Sequence, residues 1–292
     1  MKKIITTNEA GLDIKTYLKS ISMSASLIKK LKKLETGILV NGAHQNVTYI
    51  LKENDVLETN FDDTEEETNK YLEPVDLPVE IIFESENMTV VNKSAAMPTH
   101  ESINNRGNTL ANALAYRYSD KPYVFRAVNR LDKDTSGAVV TANNKYYAGM
   151  LSALLKSGKT QKEYIAVVEG NLQGAGTVEA PIRRKGESII ERIVAPDGEY
   201  AKTHYEVLKS CDDISIVLVK PQTGRTHQIR VHMAHIGHPI VGDEMYGSTS
   251  EYISRQALHC LRMKIEGIGD FVAPLPQDME QLIRRYFDEA II

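Results

Sequence analysis

Two short segments bring together side chains that could carry acid–base or nucleophilic chemistry. The first, residues 129–137, has the sequence NRLDKDTSG and is followed by the apolar residues 138–140. It places two carboxylates, Asp132 and Asp134, in a loop immediately before a predicted buried strand. A carboxylate in such a position can act as a nucleophile or as a general base. A simple turn held by Asx and Ser/Thr hydrogen bonds would produce the same composition.

The second segment, residues 222–232, has the sequence QTGRTHQIRVH. Thr226 is a suitable N-cap and Gly237 a suitable C-terminal stop for a helix between them. Three apolar residues at helical spacing form the predicted buried stripe of this helix: Ile229, Met233 and Ile236. Taken alone, the segment is typical of a capped surface helix.

The histidines in and after this helix raise the question of a metal site. They are His227, His232, His235 and His238. No Cys or Glu accompanies them in a ligand pattern, and two cysteines, Cys211 and Cys260, cannot form a four-ligand zinc set. The sequence also matches neither a P-loop nor a dinucleotide-binding glycine motif. We therefore predict no metal and no small-molecule cofactor.

The elements that must position these segments belong to a chain of ordinary globular composition. It has 292 residues, of which 42% are hydrophobic and 25% charged. It contains no apolar run of the roughly 18 residues that a membrane-spanning helix needs, and its first residues lack the apolar core of a signal peptide. The net charge of −4 excludes a uniformly basic surface but allows a local basic patch. The sequence predicts a cytoplasmic protein.

Charge divides the chain into parts. Residues 1–60 hold nine Lys and no Arg against six acidic residues, a balance of +3. Five acidic residues follow between positions 62 and 67, and such a polar stretch is typical of a linker. We predict a small N-terminal domain (residues 1–62), an acidic linker (63–76) and a larger domain (77–292).

The N-terminal domain is predicted to contain one helix near residues 14–21 and a second over residues 24–35, before Gly37. The predicted buried stripe of the second helix is Leu27, Ile28, Leu31 and Leu34. Residues 38–40 predict a strand that leads into an Asn41-Gly42 turn, and residues 47–57 predict further strand. Four lysines lie between the apolar positions of the second helix and should face solvent: Lys29, Lys30, Lys32 and Lys33.

This order of elements resembles the small RNA-binding domain first described in a ribosomal small-subunit protein, the S-four-like or alpha-L domain. The resemblance covers about residues 11–60. It implies that the lysine-bearing helix lies on an RNA backbone, because lysines neutralise phosphate charge. On charge alone, a solvated helix face is the more common interpretation.

The larger domain alternates short strand-like runs with helical ones, and long polar loops separate several of them. The predicted strands are residues 79–83, 89–91, 138–141, 164–168 and 214–219, and the predicted helices are residues 109–117 and 146–156. This mixture indicates an α+β domain with a mixed sheet rather than a regular βαβ array.

Together, the two polar segments resemble motifs of the RluA/RluD-type pseudouridine synthases. Residues 129–137 are similar to H-R-L-D-x-x-T-S-G, and residues 224–232 to G-R-T-H-Q-[IL]-R-V-H. Residues 162–170 resemble the K-x-Y-x-A-x-V-x-G segment between them, and the whole similarity spans about residues 77–285. Three positions depart from the family pattern: Asn129 replaces a His, and Ser94 and Ala96 replace Pro and Gly of an early motif.

The resemblance implies an isomerisation that breaks the N1–C1′ bond of a uridine and joins C5 to C1′. By its motif position Asp132 is the catalytic carboxylate, with Asp134 as a rival on composition alone. Arg230 would be the ionic partner of Asp132. Tyr164 would stack on the uracil, and its hydroxyl would assist proton removal at C5 or order water. Arg130 would fill the space left by the flipped-out uridine.

The sequence thus predicts a monomeric RNA pseudouridine synthase whose partner is RNA, by family analogy ribosomal RNA, with no membrane partner. A non-catalytic RNA-binding or ribosome-assembly protein of the same fold is an alternative from another class. A nucleoside hydrolase or glycosylase is a second alternative, although such enzymes usually need two carboxylates flanking the scissile bond.

Overall fold

The computed structural model describes residues 1–60, 72–103, 105–186 and 190–287. The acidic run predicted as the linker core, residues 62–67, lies outside the described residues. The buried apolar side chains form separate cores, one built from residues 5–57 together with Tyr146 and a larger one from residues 88–283. The first core defines what we call the N-terminal unit and the second the larger unit.

The N-terminal unit is a four-stranded antiparallel sheet covered by two short helices. Its elements are β1 (Lys2–Ile4), α1 (Ile14–Ser20), α2 (Ala25–Leu31), β2 (Ile38–Val40), β3 (Ala43–His44) and β4 (Val56–Thr59), with strand order β1-β4-β2-β3. The predicted Asn41-Gly42 turn joins β2 to β3, and its two residues have φ angles of 53° and 80°. Both are left-handed conformations, which Asn and Gly tolerate best, so this dipeptide fits a tight hairpin.

Two predictions for this unit were wrong. Helix α2 ends at Leu31 rather than near Glu35, so Leu34 lies in the following turn and is 48% exposed. Residues 47–55 are a loop, and strand begins only at Val56. The loop is held by Asp55, whose carboxylate accepts hydrogen bonds from the side chains of Asn41 (2.8 Å) and Tyr49 (3.1 Å). These side-chain bonds replace the sheet bonds that the apolar pattern suggested.

All four predicted surface lysines are exposed, and we call Lys29, Lys30, Lys32 and Lys33 the four-lysine surface. Only the first two lie within α2, because Lys32 is its C-cap and Lys33 belongs to the next turn. The surface is therefore a helix end and a turn, not one face of a longer helix.

The larger unit has a nine-stranded mixed sheet with helices packed beside it. Its strands are β5 (Glu80–Glu84), β6 (Met88–Lys93), β7 (Ser136–Ala142), β8 (Thr160–Glu169), β9 (Ala175–Glu179), β12 (Lys202–Ser210), β13 (Ile214–Pro221), β14 (Leu258–Ile265) and β15 (Gly269–Val272). A separate antiparallel pair is formed by β10 (Ile182–Arg184) and β11 (Arg192–Val194). The helices are α3 (Leu110–Arg117), α4 (Lys145–Lys156), α5 (Gln228–His235) and α6 (Gln277–Tyr286).

The sheet order is β5-β6-β7-β14-β8-β13-β12-β9, with β15 paired to β14. Among these described pairs, β7 and β14 are parallel and the others are antiparallel. The predicted α+β class with a mixed sheet is confirmed.

Strand β14 lies between β7, which follows the motif of residues 129–137, and β8, which carries most of the motif of residues 162–170. A Cβ on Gly137 would lie 2.3 Å from the carbonyl oxygen of Cys260 on β14, and Gly137 has a φ of 115°. Both the close backbone approach and this φ require glycine. The glycine of the first motif thus lets β7 approach β14 just after the loop that carries Asp132 ends.

The C-terminal end of the predicted linker lies along α3. The Asn112 side chain donates a 2.7 Å hydrogen bond to the Glu73 carbonyl, and the Val75 amide donates to the Asn112 carbonyl at 3.2 Å. The division of the chain into residues 1–62, 63–76 and 77–292 stays a prediction. Among the described helices, none is long and apolar enough to cross a membrane.

Candidate active site

The two polar segments meet at a cavity of about 150 Å³ in the larger unit. We call it the Asp132 cavity. A cavity of this size can hold one six-membered ring. Its walls are residues 130–132 and 135, residues 162 and 164 of β8, residues 221 and 223–230, and Leu258 of β14.

The loop that carries Asp132 is fixed through its backbone. The buried Lys93 ammonium donates to the carbonyl of Lys133 at 3.0 Å, and Arg255 donates to the carbonyl of Asp134 at 3.0 Å. These bonds hold the loop while the Asp132 side chain, 21% exposed, faces the cavity. Asp134 does not line the cavity, so the geometry favours Asp132 over its rival.

The three residues that depart from the family pattern have different surroundings in the structure. The Asn129 side chain donates to the Ala138 carbonyl (3.1 Å) and accepts from the Val140 amide (2.8 Å), so it extends the hydrogen bonding of β7. Ala96 has a left-handed φ of 61°, a conformation that glycine, the family residue, adopts more easily. The Ser94 carbonyl accepts a 2.7 Å hydrogen bond from Lys93.

Arg230, on α5, joins two carboxylates. Its Nη1 donates to Asp132 Oδ2 at 3.3 Å, which is the contact predicted from the sequence. Its principal partner is Asp243, which receives Nε at 2.7 Å and Nη2 at 2.8 Å. Burial would lower the pKa of Arg230, but the hydrogen bonds and charge of Asp243, with the charge of Asp132, raise it above its usual value. Arg230 is a permanently charged, rigidly held cation beside Asp132.

Sequence reasoning missed the role of Asp243, although the segment 238–243 lies within the span of the family resemblance, residues 77–285. The Val241 amide of that segment donates to the Val167 carbonyl of β8 at 2.9 Å, which brings the segment against the sheet. The Asp243 carboxylate is buried there beneath Arg230. The family resemblance over this segment could have marked Asp243 as a candidate. Its contact with Arg230, however, forms only when the segment packs against β8, which is distant in sequence.

Helix α5 begins at Gln228, one residue later than the predicted Thr226 cap would place it. His227 is the N-cap residue, has a left-handed φ of 56° and makes no side-chain capping bond. Its ring instead turns toward the cavity and toward Tyr246, whose hydroxyl lies 2.8 Å from Nδ1. The strained backbone is thus associated with a side chain directed at the site rather than at the helix end.

Tyr246 is hydrogen-bonded both to His227 and to the backbone of Arg192. The Arg192 amide donates to the Tyr246 hydroxyl oxygen at 3.0 Å, so the hydroxyl is free to donate its proton to His227 Nδ1. Neutral His227 then carries its proton on Nε2, which lies 3.9 Å from Asp132 Oδ2. Burial lowers the pKa of His227, although the charge of Asp132 opposes the shift. When the Tyr246 hydroxyl donates to Nδ1, the neutral His227 ring directs its Nε2–H toward the carboxylate.

Tyr164 lies on β8 with its ring lining the cavity and only 8% of its surface exposed. Burial, followed by the neighbouring Cys260 thiol, to which its hydroxyl is hydrogen-bonded, raises its pKa well above 10. The hydroxyl therefore stays protonated. Arg130, at the rim, is exposed and also lines the cavity.

The other histidines of the second segment are dispersed. His232 is buried and bonds the Thr203 hydroxyl (2.8 Å) and the Ala180 carbonyl (2.9 Å). His238 lies 2.7 Å from the Glu169 carbonyl, and His235 is exposed. Within the described ranges, no three His, Cys, Asp or Glu side chains cluster as metal ligands would.

The structure does not bring the four-lysine surface to the Asp132 cavity, because none of its residues lines it. Those lysines belong to the N-terminal unit, whereas Asp132, Tyr164, Arg230 and Arg130 meet at one place in the larger unit.

Comparison with known proteins identifies the family. A sequence profile described as "RNA pseudouridylate synthase" matches residues 87–235. A Bacillus subtilis protein described as "Uncharacterized RNA pseudouridine synthase YjbO" is 38% identical over 281 residues, covering 94% of this chain and 99% of that protein. Ribosomal large subunit pseudouridine synthase D of Escherichia coli K12 is 38% identical over 232 residues, covering 72% of this chain and 71% of that protein.

The fold agrees with these sequence matches. The structure of human RNA Pseudouridylate Synthase Domain Containing 1 superposes with a TM-score of 0.58 and 28% identity, covering 71% of this chain and 94% of that one. The chain belongs to the RNA pseudouridylate synthase family and is an isomerase that acts on RNA. Within that family it is of the RluA/RluD type, as the sequence motifs indicated.

Proposed function

We propose that this enzyme converts specific uridines of ribosomal RNA to pseudouridine, with Asp132 as its catalytic carboxylate. The observation that carries the proposal is the position of Asp132 on the cavity wall, with Oδ2 facing Arg230 at 3.3 Å. Its Oδ1 has no hydrogen-bond partner among the described residues, so this oxygen is available to a substrate. Ribosomal RNA is suggested by the name of the relative from Escherichia coli.

In the proposed reaction, Asp132 stabilises C1′ as the N1–C1′ bond breaks, either by covalent attack or by its charge. The electrons of that bond leave with the uracil, which rotates in the cavity and forms a C5–C1′ bond. The proton on C5 must then be removed and N1 protonated, so the products have the same atoms as the substrate. Arg230 keeps the carboxylate charged and oriented through these steps.

Tyr164 supports the proposal as a ring on the cavity wall on which the uracil can stack. Because its hydroxyl stays protonated, we assign removal of the C5 proton to Asp132 rather than to a tyrosinate. Arg130, exposed at the rim, would fill the gap left by the extruded nucleotide, which offsets the few kcal/mol that flipping costs.

The N-terminal unit is proposed to bind RNA through the four-lysine surface, as an S-four-like domain would. The chain is proposed to act as a monomer without a cofactor. A lysine-rich surface alone would equally suit a non-catalytic RNA-binding protein. That alternative gives no reason for the close approach of Asp132, Arg230 and Tyr164 around one cavity.

The test is Asp132→Asn, with Asp134→Asn as the matched control in the same loop. We expect Asp132→Asn to fold and bind RNA but to release no tritium from RNA labelled at C5 of uridine. Asp134→Asn should retain most activity, because that side chain does not line the cavity. An active Asp132→Asn enzyme, or an inactive Asp134→Asn enzyme, would reassign the carboxylate. Pseudouridine mapping in ribosomal RNA from cells without the gene would identify the target.

A further inference from the structure

A groove of about 960 Å³ adjoins the Asp132 cavity, and Lys162 lines both. Lys162 precedes Tyr164 by two residues on β8. Side chains two apart on a strand point to the same face of the sheet, so the ammonium and the tyrosine ring share one side of β8. Lys162 therefore stands where a nucleotide in the cavity would continue into a strand in the groove.

Lys162 is a partly buried cation of this groove without a partner among the described residues, whereas Lys156, which also lacks one, is exposed. Lys220 pairs with Glu163 at 3.3 Å, and Arg225 pairs with Glu199. No described residue forms an ion pair or hydrogen bond with the Lys162 ammonium. Burial lowers the pKa of Lys162. A shielded ammonium without an acceptor destabilises a fold, so its retention calls for a ligand that the protein itself does not supply.

Gly224 lies next to the Lys162 ammonium, and both residues line the cavity and the groove. A Cβ on Gly224 would lie 3.8 Å from Lys162 Nζ, in contact with the ammonium. Gly224 belongs to the same segment, residues 222–232, as Arg230, so this segment contributes to the border between cavity and groove as well as to the Asp132 cavity.

We propose that Lys162 binds a phosphodiester of the RNA next to the flipped uridine, and so directs the flanking strand into the groove. The inference rests on the proposed function, since it needs a uridine in the Asp132 cavity. A phosphodiester fits the observations because an ammonium is a compact point charge with three donors, suited to phosphate oxygens. The groove also carries Lys156, Lys220 and Arg225 along its walls, which suits a polyanion.

The first experiment measures RNA binding by Lys162→Met at several salt concentrations. We expect binding weakened roughly tenfold and the slope of log K against log salt reduced by about 0.7–0.9, as for one lost phosphate contact. The loss should appear more in KM than in kcat. Lys162→Arg should restore most of the affinity and the slope. Lys159→Met is the matched control, because Lys159 is exposed and already paired with Glu266 at 2.8 Å.

The second experiment is the thermal melt of the same variants without RNA. If the ammonium is kept for a ligand, Lys162→Met should melt at a higher temperature than wild type, since an unpaired charge has been replaced by an apolar side chain of similar length. A melting temperature that falls, with unchanged RNA affinity and slope, would show a structural lysine and overturn the proposal.

Lys162→Gln provides a second neutral side chain should the Met variant not fold, and it is expected to show the same binding loss. An unchanged slope in Lys162→Gln would also overturn the proposal. Different results would contradict the proposed function and the proposed phosphate contact. Tritium release by Asp132→Asn would remove the proposed mechanism, while the salt slope of Lys162→Met reports only on the phosphate contact.

Discussion

The positive charges around the Asp132 cavity and those of the four-lysine surface differ in burial and in what holds them. Arg230 is buried between Asp243 and Asp132 and can take only one position. The four lysines are exposed around the end of a seven-residue helix. A buried, paired cation fixes the geometry of a reacting group, whereas exposed cations attract phosphate without fixing it. Removal of the first kind should therefore damage fold and chemistry, and removal of the second only the salt-dependent affinity.

The largest effect is expected for Arg230→Ala. It leaves the buried Asp243 carboxylate without its partner, and breaking a buried pair costs about 3–5 kcal/mol. Tritium release should be lost as well. Thermal melts at pH 7 measure the loss of stability.

Arg230→Lys is the control, because lysine keeps the positive charge but lacks the planar guanidinium that donates two hydrogen bonds to Asp243. We expect its losses of stability and activity to lie between those of wild type and Arg230→Ala. An Arg230→Ala protein as stable and as active as wild type at pH 7 would contradict the importance of the pair.

A smaller effect is expected when His227 is replaced, because a neutral ring offers Asp132 one N–H and no positive charge. His227→Asn tolerates the left-handed φ of 56° but cannot reach Asp132, and His227→Gln can place an amide N–H near the former Nε2. We expect single-turnover rates about 10- to 100-fold lower for Asn, with much of the rate kept in Gln. The two variants should melt close to each other. Equal rates for Asn and Gln would exclude an N–H contact with Asp132 as the reason for any loss.

The smallest effect on catalysis is expected for the four-lysine surface replaced by Ala. Its affinity for long RNA should fall and its salt slope should flatten by about 0.7–0.9 per lost phosphate contact, while kcat changes far less. Filter binding beside single-turnover kinetics measures both quantities.

The control for the four-lysine surface is Lys2→Ala with Lys3→Ala, because these lysines in the same unit are already paired with Glu58 and Glu9. If all four lysines can be removed with wild-type affinity and slope, the surface is merely solvated.

The sequence predicted those features that depend on local pattern. The loop before β7 and helix α5 follow from turn residues and apolar spacing, and the contact between Asp132 and Arg230 followed from the family resemblance. The sequence did not predict Asp243 as the stronger partner of Arg230, because that contact forms only when residues 238–243 pack against β8.

The predicted start of α5 and the predicted end of α2 were wrong, because several local signals compete at the ends of helices. Thr226 and His227 both precede α5, and the tertiary contact of the His227 ring with Tyr246 takes precedence over side-chain capping by Thr226. Leu34 continued the apolar spacing of α2, but the helix had already ended at Leu31. An apolar period indicates which residues are compatible with a helix, and packing decides where the helix stops.

The place of β14 in the sheet has a consequence for how the enzyme is made. Asp132 precedes β7 and Tyr164 lies on β8. Among the strands that the structure describes, these two are hydrogen-bonded to each other only through β14, which pairs with both at Cys260. A nascent chain that has emerged only as far as residue 257 must hold two half-sheets with unpaired inner edges, and such edges are prone to associate with other chains. Insertion of a late strand between two early ones also makes slow, non-local pairing the step that completes the sheet. The edges of β7 and β8 therefore gain their β14 partner only after residues 258–265 have been synthesised, and we expect the chain to need protection of these edges until then.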